Sequence, residues 1–339
     1  MDPLTQASLG AAAAALVCRR DETRRALVLG ALAGAAPDLD VLIRSNQDPL
    51  LALEYHRHFT HALLMAPLLG LVVAALFKAV FFWKRWAYGR LALFGVVATG
   101  THGLLDTCTS YGTLLYWPLS HHRESWDVIS IIDPIFSLPL FFLIGLAFLL
   151  QRPRYGQYGL LLCLLYLSFG FLQRSQATAF AADLAESRGH AYEALTVRPS
   201  FGNTVLWRIV YRVEDRYFID AVRTLPWAEP VHYRGRSVDA YTPESASKEL
   251  DPGSIRARDV ERFRFFSQGY LHRHPDNTKI IGDTRYAMFP DSAVPLWGIL
   301  VDPAEPDEHV EFKYFRDASK SAFRRLWYMI QGKELSSID

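Results

Sequence analysis

The chain has 339 residues, half of them hydrophobic, and its 36 Lys and Arg nearly balance its 35 Asp and Glu. A net charge of +1 without any run of Lys or Arg argues against nucleic acid as a partner. All three cysteines lie in the first 163 residues, which excludes a disulfide framework in the remainder. The opening Met1-Asp2-Pro3 has no basic region typical of a signal peptide, so we expect the first apolar segment to be retained.

Apolar runs dominate the chain up to about Gln173. Of six apolar segments, the third and fifth meet the roughly 20 residues that a helix needs to cross a bilayer, and the fourth and sixth nearly do. The first two are short and rich in Ala and Gly, so they are either thin spans or a hairpin that does not fully cross. These segments predict a polytopic α-helical membrane domain of about six apolar helices over residues 1–173. They are Ala7–Cys18, Ala26–Ile43, His61–Trp83, Leu91–Cys108, Ile131–Leu150 and Gly156–Leu172.

The loop charges predict an orientation for these segments. Lys and Arg cluster after segments one, three and five, in the ranges Arg19–Arg25, Lys84–Arg90 and Arg152–Arg154. With six crossings these loops share one side, which the excess of positive charge marks as the cytoplasmic side of the membrane. The opposite side would then hold residues 44–60, residues 109–130 and the whole polar half, with every candidate ligand at that face.

The polar half is predicted to contain a connector helix over residues 174–190 and a small, soluble α+β domain with an antiparallel sheet over residues 191–339. Trp207–Val213 and Arg216–Val222 flank Glu214-Asp215 and indicate a β-hairpin. We find no catalytic constellation in this half. Further predicted strands are Thr278–Ile281, Tyr286–Phe289, Leu296–Val301 and Val310–Phe315, and the predicted helices are Ser254–Phe266 and Ser319–Gln331.

His102 and Asp106 lie four residues apart in the fourth apolar segment, so they would share one face of a helix. A neutral imidazole beside a carboxylate is a common part of a zinc or two-metal site. The alternative is a buried His–Asp hydrogen bond that only ties helices together. Because ionisable groups at membrane depth are costly and usually face a cavity, a partner or a metal, we favour the metal site.

A second cluster, His56, His58 and His61, precedes the third apolar segment. Thr60 would be the N-cap of that helix and leave His56 and His58 in the preceding loop, whereas His58 and His61 share a face if the helix begins earlier. A His-rich surface loop without function is the alternative. Arg57 lies between these histidines and suits a carboxylate or a substrate phosphate, because its planar fork gives bidentate hydrogen bonds.

Further candidates follow Pro37, which should disturb the second helix. Asp38 and Asp40 would bridge or bind metal ions from irregular backbone, or they form a polar helix terminus at the headgroups. The loop between segments four and five and the residues just after it add candidates for outer ligands, a general base or plain loop acids: His121, His122, Arg123, Asp127 and Asp133. Five glycines indicate close helix packing rather than nucleotide binding: Gly30, Gly34, Gly95, Gly100 and Gly103.

These motifs together resemble the YdjM-like family, bacterial inner-membrane proteins described as membrane-bound metal-dependent hydrolases. The resemblance covers about residues 1–150, and the polar half is similar to the C-terminal region of longer members. It rests on the order and spacing of Met1–Gly10, Pro37–Asp40, His56–His61, Thr101–Thr107 and Leu115–Ser120.

The resemblance also implies a set of metal-site residues: Asp38, Asp40, His56, His61, His102 and Asp106. Many relatives carry a His where this chain has Gln6, which is a poor metal ligand. The His-x-x-x-Asp pair is remotely similar to a ligand pair in zinc-dependent phospholipase C and P1-type nucleases, which makes phosphoester hydrolysis a reasonable expectation.

We therefore expect a membrane-bound metal-dependent hydrolase with an outward-facing site near the headgroups and a lipid or lipid-linked phosphoester as substrate. One or two divalent ions, zinc in preference to manganese or iron, would activate water. Asp127 or Asp40 would take the proton, and Arg57 or Arg123 would hold the phosphate. The C-terminal domain would cap the site or bind a protein partner. The alternatives are a non-enzymatic structural or sensor protein with a closed metal or a His–Asp network, and, third, a transporter.

Overall fold

The computed structural model describes residues 1–81 and 86–335. The chain forms two compact units. The first, called the helical unit below, comprises Met1–Ile43 and Tyr55–Phe171. The second, called the C-terminal unit, comprises Arg44–Glu54 and the chain from Leu172 onward. Arg44–Glu54 thus belongs to the C-terminal unit, although it connects two parts of the helical unit along the sequence.

Polar caps and 3₁₀ turns mark several helix ends in the first half of the chain. Asp2 caps the first helix by accepting a hydrogen bond from the Thr5 amide, and Asp133 caps the sixth in the same way, each followed by Pro at the first helical position. Three 3₁₀ turns lie between these helices in the described residues: Arg20–Glu22, Ala36–Leu42 and Phe59–His61. The helices are α1 (Pro3–Val17), α2 (Thr23–Ala35), α3 (Leu51–Tyr55), α4 (Ala66–Phe81), α5 (Tyr88–Cys108), α6 (Pro134–Leu150) and α7 (Arg154–Ser187).

Among the described residues, two helices are long and apolar enough to cross a membrane, α5 and α7. A third crossing arises only if Leu51–His61 and Ala66–Phe81, which meet at 86°, form one broken span. The six predicted crossings are therefore not supported, and the orientation that assumed them stays a prediction. Helices α1, α2 and α6 have 15, 13 and 17 residues, fewer than the roughly 20 that a span requires.

Two segment boundaries also differ from the prediction. Helix α2 ends at Ala35, because Pro37 cannot continue it, and the chain goes on as a 3₁₀ turn. Helix α4 begins only at Ala66, so Thr60 is not its N-cap but lies in the turn Phe59–His61. The predicted end of this segment at Trp83 and the charges of Lys84 and Arg85 lie outside the described residues.

Glycines allow the backbones of the helical unit to approach closely. A Cβ atom at Gly34 would lie 2.6 Å from the Gln6 carbonyl oxygen on α1, and one at Gly103 would lie 2.1 Å from the His61 carbonyl oxygen. Only glycine fits at such distances, as predicted for four of the five glycines. Gly100 differs, since a Cβ atom there would meet nothing within 4 Å.

Helices α5 and α7 differ in how much of their apolar surface is covered within the chain. The most apolar stretch of α5 is 67% buried, whereas that of α7 is 22% buried. Helix α7 presents exposed leucines such as Leu161 and Leu165, as expected for a surface in contact with lipid. Helix α5 is therefore the interior helix, and it carries His102 and Asp106.

The C-terminal unit contains two antiparallel four-stranded sheets where the sequence predicted one. The predicted hairpin is confirmed, and Tyr211 pairs with Phe218 across it. The predicted strand Tyr286–Phe289 is wrong, because this segment forms turns. The first sheet has the order β1 (Ala194–Pro199), β2 (Leu206–Val213), β3 (Arg216–Leu225), β4 (Ala228–Asp239), and the second has β5 (Leu271–His274), β6 (Asn277–Asp283), β7 (Trp297–Leu300), β8 (Glu311–Tyr314).

Different helices pack against the two faces of the first sheet. The C-terminal part of α7 packs Ala177, Ala181 and Ala185 on one face, against Trp207 and Tyr211. On the other face lie residues of α10, which form a core with the sheet. The predicted helices over Ser254–Phe266 and Ser319–Gln331 are confirmed. The remaining helices of this unit are α8 (Pro243–Glu249), α9 (Ile255–Phe266) and α10 (Lys320–Gln331).

Candidate metal centre

Four of the six residues predicted as metal ligands meet in the helical unit. Asp38 comes from the turn Ala36–Leu42, His61 from the turn Phe59–His61, and His102 and Asp106 from α5. One possible ligand atom of each lies within 4.8 Å of the others. The two 3₁₀ turns position Asp38 and His61. The i,i+4 spacing on α5 positions His102 and Asp106 on one helix face, as predicted.

The two imidazoles face each other through their Nε2 atoms, which are 2.9 Å apart. The Nδ1 atom of His102 lies 2.5 Å from the Gly34 carbonyl oxygen, and that of His61 lies 3.2 Å from Asp40 Oδ2. A carbonyl or carboxylate at Nδ1 orients the imidazole ring through that nitrogen. Both Nε2 atoms therefore face the same space, where they are placed to act as ligands of a bound cation.

The carboxylates complete this group. Asp38 Oδ1 lies 3.5 Å from His61 Nε2 and 3.4 Å from His102 Nε2. Asp106 Oδ2 lies 3.3 Å and 3.8 Å from the same two nitrogens. Two imidazole nitrogens and two carboxylate oxygens form a donor set typical of zinc and of related divalent metals.

Asp40 supports His61 instead of joining the four-residue group. Its Oδ1 lies 2.9 Å from His56 Nδ1, and its Oδ2 accepts hydrogen bonds from the Arg57 amide at 2.9 Å and from the Thr60 hydroxyl at 3.0 Å. This carboxylate therefore holds together the turn that carries His61. His56, also predicted as a ligand, contacts Asp40 and is not in the group.

Asp106 is the most enclosed carboxylate of the site, with no exposed surface. Its Oδ1 accepts a hydrogen bond from Gln6 Nε2 at 2.7 Å and also contacts the amino group of Met1. Its Oδ2 lies 2.9 Å from Arg57 Nε, although this ion pair is not aligned as a hydrogen bond. These contacts fix one oxygen of Asp106 and leave the other directed at the two histidines.

The residues present fit a divalent metal ion. His61, His102 and Asp106 are at most 2% exposed, and the Asp38 side chain is 12% exposed. Asp38 Oδ2 and Asp106 Oδ2 are buried without a hydrogen bond, which is costly unless a cation compensates them. Even with Arg57 and the Met1 amino group counted, the three carboxylates Asp38, Asp40 and Asp106 leave a net negative charge.

Arg57 has a backbone conformation that few residues adopt. Its φ angle is 60°, in the left-handed region, and its side chain is 3% exposed. Its Nη1 donates to the Thr109 hydroxyl at 2.7 Å and to the Asp106 carbonyl at 3.3 Å, while the guanidinium lies over the Tyr111 ring. Strain of this kind persists where the surrounding contacts require it and is frequent at functional sites.

Besides His56, three predicted histidines lie outside the four-residue group. His58 packs among Tyr55, Phe59 and Trp117, with ring centroids 5.5–6.0 Å away. His121 and His122 are exposed. They illustrate that a histidine next to an apolar segment can serve packing or solubility.

The predicted loop residues have diverse positions. Arg123 donates through Nη2 to the carbonyls of His56 and Gly112 and so ties two loops together. Asp127 is buried at φ 51°, between residues whose amides bond to the carbonyls of Thr107 and Cys108 at the end of α5. Asp133 is the N-cap of α6 and accepts a hydrogen bond from Tyr166 at 2.9 Å, which gives it a structural role.

Sequence reasoning missed several groups that shape the site. Gln6 was set aside as a poor ligand, yet it fixes Asp106 and also donates to the His102 carbonyl at 3.3 Å. The Gly34 carbonyl orients His102, and Thr109 orients Arg57. The motif Met1–Gly10, which contains Gln6, was the signal that could have indicated this residue.

Membrane-length apolar helices and a buried group of two imidazoles and two carboxylates define a membrane protein with a site that could hold a metal ion. The model of the family described as YdjM inner membrane protein matches residues 1–177, more than half of the chain. The chain therefore belongs to the YdjM inner membrane protein family, and the resemblance found in its motifs is confirmed. No curated protein and no solved structure matches the chain.

Proposed function

We propose that this protein is a membrane-bound metal-dependent hydrolase whose metal is held by Asp38, His61, His102 and Asp106. The observation that carries the proposal is the pair of imidazole Nε2 atoms that face each other at 2.9 Å while their Nδ1 atoms are already engaged. Zinc suits this mixed nitrogen and oxygen set best, and manganese or iron would fit the same ligands. The four residues account for one ion, and a second would need further ligands.

A bound divalent ion would lower the pKa of a coordinated water and polarise a phosphoryl or ester oxygen. Neighbouring residues of the protein would hold the metal ligands in position. Asp40 and the Gly34 carbonyl hold the two imidazoles, and Gln6 holds Asp106. Such supporting contacts are typical of metal centres, where the partner of the ligand fixes its direction and basicity.

Asp127 fits the role of proton acceptor better than Asp40 does. The Asp40 carboxylate already contacts His56, Arg57, Thr60 and His61, so its oxygens are committed to positioning. Asp127 is a buried acid, and the amides on either side of it bond to the carbonyls of Thr107 and Cys108, which follow Asp106 in the chain. The guanidinium of Arg57 already lies at the Asp106 carboxylate, so Arg57 would hold this ligand in place rather than bind a substrate phosphate.

A lipid or lipid-linked phosphoester is the proposed substrate class. Asp38 is the most exposed of the four metal-site side chains, and its neighbours on the same turn, Leu39 and Leu42, are 63% and 69% exposed. Exposed leucines beside the accessible ligand suit a substrate with an apolar part. We place the C-terminal unit on the periplasmic side of the inner membrane, where it would bind a protein partner.

The second candidate is a structural role. The same four groups contact one another at 2.9–3.8 Å, so a His–Asp network or a closed ion would tie α5 to the two turns without any chemistry. A structural ion is closed by protein ligands, whereas a catalytic ion keeps a position for water. The four ligands are compatible with either state, so the distinction needs measurement.

The first test is the metal content of the purified full chain by mass spectrometry. We expect about one equivalent of a transition metal in the wild type and its loss in His102→Gln, because one of four ligands is gone. His121→Gln combined with His122→Gln is the matched control, since it removes two exposed histidines outside the group and should keep the metal.

The second test separates the two candidate functions. The metal-loaded wild type is incubated with phospholipid and lipid-phosphate micelles, and released phosphate or headgroup is measured. Turnover that disappears in a folded Asp127→Asn variant, which keeps its metal, supports the hydrolase. A wild type that holds its metal without turnover on any of these substrates supports the structural role, and a wild type that takes up no zinc, manganese or iron overturns the metal site.

A further inference from the structure

A cleft of about 390 Å³ opens on one face of the first sheet, near the end of α7. All of its lining residues belong to the C-terminal unit. Its volume lies in the range of sites for small molecules. The residues that matter below come from the turn after α7 and from β3 and β4: Arg188, His190, Phe218, Asp220, Arg234 and Arg236.

The acid of this cleft, Asp220, is already compensated. Its carboxylate accepts two hydrogen bonds from Arg188, at 2.6 and 3.0 Å, and lies 2.9 Å from His232 Nε2. Burial alone would raise the pKa of Asp220, but His232 and Arg188 lower it below its usual value, so the group stays ionised. The positive charge of Arg188 is therefore committed to Asp220.

Arg234 and Arg236 contribute the uncompensated charge. Both side chains are exposed, and among the described residues neither forms a hydrogen bond, an ion pair or a ring contact. Surface arginines usually find a carboxylate or an aromatic ring, as Arg216 does with Asp239 on the neighbouring strands. Two arginines that line the cleft without an acid partner give it a net positive charge.

A β-bulge places the two arginines together at the cleft. Phe218 pairs with Ser237 and Asp220 pairs with Arg234, so Ile219 alone faces both Gly235 and Arg236. Gly235 is needed there, because a Cβ atom would lie 2.4 Å from the Ile219 carbonyl oxygen. Bulges redirect side chains and are frequent beside binding sites.

We propose that this cleft is a binding site for a phosphoryl group, held by the guanidiniums of Arg234 and Arg236. Planar guanidinium forks match phosphoryl oxygens with paired hydrogen bonds, which a single lysine cannot provide. Phe218 and His190, whose ring centroids are 4.3 Å apart with the rings tilted by 44°, form an aromatic side of the cleft for the rest of the ligand. The site goes beyond the proposed hydrolase and does not depend on its metal.

The phosphoryl group belongs either to a free phosphorylated compound or to a lipid headgroup. Leu172 is an exposed apolar residue of α7, and 16 residues separate it from Arg188. At 1.5 Å per residue this is about 24 Å along the helix axis, more than the roughly 5–8 Å depth of a headgroup layer. The distance favours the free compound, and the experiment below distinguishes the two sources.

The test is calorimetric titration of the full chain, in nanodiscs of neutral phosphatidylcholine, with sodium phosphate. We expect millimolar or tighter binding that weakens at least tenfold in the double variant Arg234→Gln, Arg236→Gln. The matched control is Arg258→Gln with Arg324→Gln, which removes two exposed arginines elsewhere in the same unit and should change affinity less than twofold. Phosphatidylglycerol nanodiscs provide the second arm, because anionic headgroups would compete with phosphate.

Each outcome decides the proposal. Selective loss of phosphate binding in the cleft variant supports it, with competition by phosphatidylglycerol identifying a headgroup and no competition a free compound. Equal loss in both double variants, or no phosphate binding by the wild type, overturns it. If the double variant fails to fold, the single variant Arg236→Gln is titrated with phosphate in its place. Metal content is measured in parallel, so that failure of the cleft and failure of the metal centre are told apart.

Discussion

Each unit contains a group of His and Asp side chains close enough together to hold a metal ion, and the two groups differ in what already compensates their charge. In the helical unit, the Nε2 atoms of two imidazoles face each other between Asp38 and Asp106. In the C-terminal unit, Asp48, Asp259 and His309 form the group.

Arg262 lies at the centre of this second group. Its guanidinium donates to Asp48 at 2.9 and 3.0 Å and to Asp259 at 3.0 Å, and Glu54 accepts another hydrogen bond at 2.9 Å. The Asp259 carboxylate also lies 2.8 Å from His309 Nδ1. The carboxylates of this group therefore have hydrogen-bond donors, whereas in the helical group Asp38 Oδ2 and Asp106 Oδ2 have none, even though Arg57 lies beside Asp106.

The comparison teaches that residue types in proximity do not define a metal centre. What distinguishes the helical group is buried acceptor atoms without donors, at positions where burial makes an uncompensated charge costly. The C-terminal group is partly exposed, with 28% of the Arg262 side chain accessible, and its acceptors have donors. We expect metal in the first group and none in the second.

The largest effect is expected from Gly103→Ala. The added Cβ atom would lie 2.1 Å from the His61 carbonyl oxygen, so α5 and the turn Phe59–His61 would have to separate. Overpacking of this kind costs about 1–3 kcal/mol or more and should also displace His61 and lower the metal content. Thermal melting and metal analysis in one detergent are the measurements.

Gly100→Ala is the matched control for this variant. A Cβ atom there meets nothing within 4 Å, and alanine in a helix interior is favoured over glycine by about 0.5–1 kcal/mol. It should leave metal content unchanged and melt no earlier than the wild type. If the two alanine variants behaved alike, close contact at Gly103 would not be what places His61.

A smaller effect is expected from Asp40→Asn, which weakens the support of His61 but keeps all four ligands. Loss of such a supporting partner typically lowers metal affinity about 10–100-fold. Competition with a chromophoric chelator measures this affinity. Asp48→Asn in the C-terminal group is the control and should leave the metal affinity at the wild-type value. An equal loss of affinity in both variants would mean that both groups bind metal, which contradicts the distinction drawn between them.

The smallest effect is expected from Arg262→Gln, because the ion pairs of Arg262 are partly exposed and screened by solvent. We expect a loss of about 1 kcal/mol or less in stability and no change in metal content. Burial of Asp48 opposes ionisation, but Arg262 outweighs it and lowers the pKa of Asp48. This contribution is present above the unfolded pKa of about 3.9 and is lost as the pH falls through the folded value.

The pH dependence gives this last prediction its check. The difference in melting temperature between wild type and Arg262→Gln should be largest near neutral pH and shrink below about pH 4. Arg258→Gln on the same helix, an exposed arginine without such acids, should show no difference at either pH. If the difference in melting temperature became larger at low pH, Arg262 would stabilise the protein through interactions other than those with these carboxylates.

The sequence by itself determined the elements whose pattern is local. His102 and Asp106 share a helix face because a helix repeats every 3.6 residues, and the hairpin around Glu214-Asp215 follows from alternation and a two-residue turn. The small residues of α1 and α2 likewise indicated close packing. The predicted number of membrane crossings was not supported, because apolar composition alone does not distinguish a helix that is buried in protein from one that is long enough to span the bilayer.

Only the tertiary structure decided the roles of Asp38 and Asp40. In a 3₁₀ turn with three residues per turn, side chains two apart point in different directions, so these acids cannot share one task. Asp38 faces the Nε2 side of His61 and Asp40 faces its Nδ1 side. The roles of Gln6 and the Gly34 carbonyl were likewise decided only by the tertiary structure. Irregular turns and contacts between helices bring these groups to the site, and their spacing in the sequence follows no helical or strand repeat.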